Sequence, residues 1–193
     1  LGVVGRVGAP ALRPSVEHLA AEDPDDAVRL KAVEVLQGLP GAGDDIAVLA
    51  VSPSATDRAR GARLSIGAGE RAKDWLEMLA IDPDIAVRRA ALAATDAESG
   101  SEKLWQVAVE ALADPRLAPA AAAALGVGGE AALAELEEQA PALDARGVGR
   151  AARIYGEIGG GRAHALLLDK LAYPDKGVRA NVLSALRHAD YRA

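Results

Sequence analysis

The chain has 193 residues, half of them apolar and mostly Ala, Leu and Val, with no Cys, no Phe, two Trp and three Tyr. The lack of Cys excludes disulfides, thiolate metal sites and cysteine nucleophiles, and no apolar run reaches the roughly 18 to 20 residues that span a bilayer. A net charge of −6 argues against a nucleic-acid partner, whose affinity rests on Lys and Arg neutralising phosphates.

Read from the start, "LGVVG" matches the close of a helix whose earlier part is missing. The first complete helical run follows the turn "DPDDAVR" at 23–29, where Val28, Ala32, Val35 and Leu36 recur at helical spacing. Asp25 or Asp26 caps it, and negative charge there suits the helix dipole. A glycine-rich break, "GAGDD", then leads into a second helix. The same sentence is written again along the chain. Helical runs end at Leu36, Ile66, Thr95, Leu125, Tyr155 and Leu186, in steps of 29 to 31 residues. "GAGE", "GVGGE" and "GGGR" supply later breaks, and Pro24, Pro53, Pro83, Pro115, Pro141 and Pro174 keep the beat of the turns. Gly provides the left-handed residue that ends a helix, and Pro cannot continue one. A period near 30 over five steps marks a repeat array, and each unit reads as two helices that bury their apolar stripes only by stacking.

The fold class expected is therefore all-α: a right-handed α-solenoid of the armadillo/HEAT type with about six stacked helix pairs. Residues 1–193 form one array that begins and ends in mid-repeat, as a segment of a longer chain would. Uncapped ends of that kind leave apolar faces for self-association. The chain stops at "ALRHADYRA", where a second helix is due.

Asp-Pro-Asp-x-x-Val-Arg-x-x-Ala at 23–32 and 82–91, with "LGVG" at 125–128 and "YGEIG" at 155–159, resembles HEAT repeats. The resemblance is to the short, phycobilisome-lyase-type HEAT-like repeats in particular. In "SPSATDRARGA" the Val-Arg pair reads as lost, and Pro119 stands near its place in "DPRLAPAAAAAL". The resemblance implies that Val28, Val87 and Val178 enter the core. It implies that Arg29, Arg88 and Arg179 pair with turn carboxylates of neighbouring repeats, with Asp23, Asp82 and Asp175 as candidates. It also implies an outer, convex layer of helices that follow the Asp-Pro turns and an inner, concave layer of helices that follow the glycines.

Candidate chemistry is sparse. His18, His164 and His188 lie far apart, and the His-Glu pairs carried by HEAT-like di-iron hydroxylases are missing. Neither a metal nor another cofactor is implied. The glycine-rich breaks lack the Lys and the leading strand of a phosphate loop. Trp75 and Trp105 fall on apolar helix faces, which makes them core or edge of core. The post-turn segments are net positive and the remainder net negative, so the inner layer is expected to be acidic. Registered on Leu19, Leu79, Leu112 and Leu171, the second helices place Glu17, Glu77, Glu110 and Asp169 in one outward row, thickened by Glu70, Asp74 and Glu138.

The functional expectation is a non-catalytic, cytoplasmic scaffold that binds a basic protein or peptide on an acidic concave ridge. Two alternatives stand beside it. A chromophore-handling lyase would need aromatics and fixed His or Asp residues. A HEAT-like DNA-repair protein would need a basic channel.

Overall fold

The structure is a computed structural model that describes residues 13–37 and 42–190. The opening "LGVVG" and the closing Tyr-Arg-Ala lie outside the described residues. Eleven α-helices are described: α1 (Arg13–Glu22), α2 (Asp26–Gln37), α3 (Ala42–Ala50), α4 (Ala55–Leu64), α5 (Lys73–Ala80), α6 (Ile85–Ala94), α7 (Glu102–Ala111), α8 (Ala118–Gln139), α9 (Ala145–Ile158), α10 (Gly160–Asp169) and α11 (Lys176–Asp190). Short 3-10 turns sit at Gly69–Ala72, Ala140–Ala142 and Lys170–Ala172. No strand occurs among the described residues, and no helix there is long and apolar enough to cross a membrane. The fold is all-α and of the α-solenoid class. The chain divides between Ser99 and Gly100 into two compact units.

Local sequence sets the helix boundaries. Asp25 accepts the Ala27 N–H at 2.8 Å, Asp84 that of Ala86 at 2.7 Å, Asp144 that of Gly147 at 2.7 Å and Asp175 that of Gly177 at 2.7 Å. Each carboxylate satisfies an N–H that the helix cannot. Ser54 and Ser101 do the same for α4 and α7. At the other ends the glycines turn the chain. Gly67 and Gly69 precede α5, and Gly159 separates α9 from α10, all with positive φ. Gly129, at φ +56°, breaks α8 into two helices, so the expected break in "GVGGE" falls there.

In the first unit α1 packs on α2, α3 on α4, and α5 on α6. Val16, Val35, Leu36, Ile46 and Leu64 are buried together, with Leu49 and Trp75 against them. Val87 is fully buried, whereas Val28 is only half-buried. In the second unit Leu104, Leu125, Leu133, Leu136, Tyr155 and Leu167 are fully buried and Val178 nearly so. Trp105 is buried too, and Gly100 and Gly128 make room for it: a Cβ at Gly100 would lie 1.9 Å from its ring.

The two kinds of helix are packed unequally. The post-turn helices α4 and α6 pack along one another, as do α9 and α11, while the post-glycine helices α3 and α5 barely touch. A Cβ at Gly156 would sit 2.9 Å from the Ala185 Cβ and 3.1 Å from its backbone, which shows how closely α9 and α11 approach.

The arginine roles also differ from those expected. Arg29 donates to the Asp23 carbonyl at 2.6 Å, and Arg179 to the Tyr173 and Pro174 carbonyls, both at 2.7 Å. Each therefore braces the turn of its own repeat. Asp23 accepts the Asp25 N–H and Asp175 caps α11, so neither serves as a neighbour's counter-ion in these bonds. Asp82 does pair across repeats, with Arg58. Arg88 Nε is buried and meets no acceptor among the described residues.

Candidate functional site

The post-glycine helices share a burial pattern that fixes their register. Val16 and Ala20 in α1, Ile46 and Ala50 in α3, and Leu76 and Ala80 in α5 are buried four residues apart. Ala108 and Leu112 at α7, and Leu136 and Ala140 at the end of α8, repeat the spacing. In α10, Leu167 takes the first place, and Leu171 at the second is 37% exposed. Two residues after the first buried position the side chain is always exposed. The residues there are His18, Val48, Met78, Glu110, Glu138 and Asp169.

The expected ridge is therefore redrawn. Glu110, Glu138 and Asp169 occupy one equivalent position on the post-glycine segments of the second unit, in α7, α8 and α10. Glu17 and Glu77 belong to the preceding position and are half-buried. The leucine alignment mixed two positions, because Leu19 and Leu79 stand three residues after the first buried position and Leu112 and Leu171 stand four after it. In the first unit the exposed position carries His18, Val48 and Met78. Val51 and Ile81 are exposed three residues further on, so that surface is apolar and not acidic. Glu70 and Asp74 are exposed, one turn apart, on the 69–80 stretch.

The carboxylates also differ in their company. Glu17 is bound by Arg13 and by Arg60 of α4. The Lys170 ammonium, 2.7 Å away, holds the Asp169 carboxyl below its ordinary range. Arg162 takes Glu137, beside Glu138, at 2.7 Å. Glu110 and Glu138 make no ion pair among the described residues. Clefts also lie between helices of each unit. One of about 500 Å³ lies between α1 and α4, and one of about 180 Å³ lies between α9 and α11, lined by Arg153, Glu157, Ser184 and His188.

Among the described residues no three His, Cys, Asp or Glu side chains converge as a metal would require. The three histidines stand on separate helices, α1, α10 and α11.

Sequence reasoning missed Arg58. Its signal was available: Ser52-Pro53-Ser54 keeps the Pro of Asp-Pro-Asp, with hydroxyls in place of carboxylates, and Arg58 stands six residues after Ser52 as Arg29 does after Asp23. Arg58 donates to the Ser52 carbonyl at 2.9 Å and grips Asp82 as well.

The stacked pairs, the glycine breaks and the turn-bracing arginines define an architecture that can be compared directly. Human deoxyhypusine hydroxylase shares this fold. Its structure aligns with 97% of this chain and 77% of its own, at 17% identity and a TM-score of 0.52. An engineered protein aligns over 92% of this chain and 97% of its own, at 18% identity and a TM-score of 0.50. No family model and no curated protein matches the chain. At these identities the likeness establishes the fold, which fits a HEAT-like repeat protein. It also corrects the functional expectation. An architecture that carries a hydroxylase gives no ground for calling this chain a non-catalytic scaffold, and that reading is withdrawn.

Proposed function

We propose that the chain acts in catalysis on a basic protein or peptide substrate, docked against Glu110, Glu138 and Asp169. The observation that supports docking is the recurrence of a carboxylate at one exposed position on three post-glycine helical segments, in α7, α8 and α10. Like charges in a row focus the local field and raise the encounter rate of a cationic segment. The catalytic part is supported by the architecture shared with deoxyhypusine hydroxylase. A fold carries no activity of its own, so this part stands or falls on an assay. We assign the repeats to the short, phycobilisome-lyase type on their period and their Asp-Pro-Asp motif. That assignment concerns repeat length, and no chromophore chemistry is drawn from it.

The test has two arms. Fluorescence anisotropy compares a labelled Lys-rich peptide with a Glu-rich one at low and at physiological salt. Mass spectrometry then follows the Lys-rich peptide after incubation with the protein and a desalted or complete cell extract. The expected results are salt-sensitive preference for the basic peptide and a protein-dependent mass change that needs the complete extract. Equal binding of both peptides removes the docking surface, and an unchanged mass in every mixture removes the catalytic reading.

A further inference from the structure

The apolar surface of the first unit is independent of the proposed substrate surface. Val48, Val51 and Ile81 are 69, 63 and 65% exposed, and Met78 is 39% exposed. Side chains three residues apart share one helix face, so Val48 stands with Val51 on α3 and Met78 with Ile81 on α5. Beneath them, Leu49 of α3 and Trp75 of α5 pack against the cluster that buries Ile46. The four exposed side chains therefore form a strip across two neighbouring helices. At these exposures the strip presents roughly 400 Å², within the size range at which an apolar patch marks an interaction site.

The charges beside the strip narrow what it fits. Glu70, Arg71 and Asp74 are exposed and Lys73 is half-buried, on the 3-10 turn and the first residues of α5. None of these four makes an ion pair among the described residues. Glu77 is half-buried and already engaged within the protein. The free rim thus holds two acids and two bases. A partner of one sign meets repulsion there as well as attraction, so the rim selects neither a basic nor an acidic segment. A second copy of the chain carries the same balanced rim and meets it without net repulsion at the contact. The strip is also built of two like halves. Val48 holds the place on α3 that Met78 holds on α5, and Val51 the place of Ile81. Such a surface suits an isologous contact, in which one patch serves both copies.

We propose that this strip is the contact between two copies of the chain. Two strips together cover roughly 800 Å², and the rim side chains extend this to roughly 1,200 Å², where specific interfaces begin. An area of that size gives a weak, reversible dimer, with a dissociation constant on the order of 10–100 μM. Each chain has a net charge of −6, so the copies repel at long range while their apolar strips attract at contact. Added salt screens the repulsion and leaves the apolar contact in place, so the dimer tightens as salt rises.

Sedimentation equilibrium of the full chain tests the contact, at low and high salt and at about 5 to 500 μM, a range that brackets the expected constant. A monomer–dimer equilibrium that tightens with salt is expected. Val51→Lys and Ile81→Lys should each weaken it at least tenfold, because each buries a charge in an apolar contact. Leu183 on α11 is 59% exposed and lies in the other unit, so Leu183→Lys should leave the dimer as it is. Far-ultraviolet dichroism shows whether the variants keep their helices. Should a Lys variant fail to fold, Val51→Ser combined with Ile81→Ser should still weaken the dimer roughly tenfold, through lost apolar burial. A chain that stays monomeric throughout overturns the proposal and leaves the strip to a different protein. A dimer unaffected by the Val51 and Ile81 variants, or weakened as much by Leu183→Lys, places the contact elsewhere and also overturns it. Association that collapses at high salt overturns it in favour of a charged contact.

Discussion

Arg58 on α4 grips Asp82 with a two-pronged bond, Nε to Oδ2 at 2.6 Å and Nη2 to Oδ1 at 3.0 Å. The same guanidinium holds the Ser52 and Pro53 carbonyls, and Asp82 in turn accepts the Asp84 N–H at 2.8 Å. One side chain thus fixes the turn before α4 to the turn before α6, across 24 residues of sequence. Asp82 is 8% exposed, so the pair is shielded from solvent on its acid side. Asp82→Asn should lower stability by about 1–3 kcal/mol, the range for losing hydrogen bonds to a charged group, measured by urea unfolding.

The same pair gives the protein an acid limb. The Arg58 hydrogen bonds hold the Asp82 carboxyl below its ordinary range, with burial opposing. A depressed folded pKa means that the stabilisation is complete above the unfolded value and is lost as pH falls through the folded one. The thermal midpoint should therefore fall below about pH 4, and Asp82→Asn should flatten that fall. An equally steep acid limb in the variant would show that other carboxylates set it.

Tyr155 supplies an alkaline limb. Its side chain is 1% exposed, its hydroxyl is directed at the Leu136 carbonyl 3.5 Å away, and burial pushes its pKa up to about 12. The folded state favours the neutral phenol, so the stabilisation is complete below the unfolded value near 10 and is lost as pH rises toward 12. The shift corresponds to about 2–3 kcal/mol. Tyr155→Phe should cost about 1 kcal/mol or less at neutral pH and should remove this alkaline loss. Unfolding curves at neutral and high pH, with tyrosinate absorbance on the parent, check both statements.

What the sequence disclosed follows the range of the interactions. Helix starts were legible because a cap such as Asp84 to Ala86 spans two residues, and breaks were legible because Gly129 and Gly159 act through their own φ. The Arg58–Asp82 tie was hidden because Ser52 and Ser54 disguise a turn whose Arg is kept. The close approach of α9 and α11 was not legible, because no local pattern reports that Gly156 faces Ala185. The carboxylate row was half legible: Glu110, Glu138 and Asp169 share a place, but aligning leucines joined them to Glu17 and Glu77, because Leu112 and Leu171 stand one residue later in the register than Leu19 and Leu79.

Close approach gives a prediction with an internal control. Gly156→Ala would gain helix propensity of up to about 1 kcal/mol, yet the new methyl must push against the Ala185 backbone at 3.1 Å. Backbone yields poorly, so overpacking at about 1–3 kcal/mol should win. Gly161, near the start of α10, is exposed and has nothing within 4 Å of an added Cβ. Gly161→Ala should stabilise by about 0.5–1 kcal/mol. Urea midpoints moving in opposite directions confirm the α9–α11 contact. A neutral or stabilising Gly156→Ala would show that the two helices separate at no cost.

The carboxylate row yields the sharpest functional test, because position and charge can be varied separately. Glu110 and Glu138 are exposed and lack ion-pair partners among the described residues, so Glu110→Lys with Glu138→Lys should change stability by no more than about 0.5 kcal/mol. Asp169 already shares its charge with Lys170, and its reversal should matter less for binding than that of either glutamate. In the first unit Met78 stands at the matching place. Met78→Glu therefore adds a carboxylate at the equivalent position outside the row. If recognition depends on the row, the double reversal should slow association of a Lys-rich peptide by roughly tenfold at low salt, while dissociation changes less. Met78→Glu should leave that rate as it is in the parent. Stopped-flow association at two salt concentrations separates the alternatives. An unchanged association rate in the double reversal would reduce Glu110 and Glu138 to ordinary solvated surface. A rate raised by Met78→Glu as much as the reversal lowers it would mean that net charge alone attracts the peptide, with no part for the row.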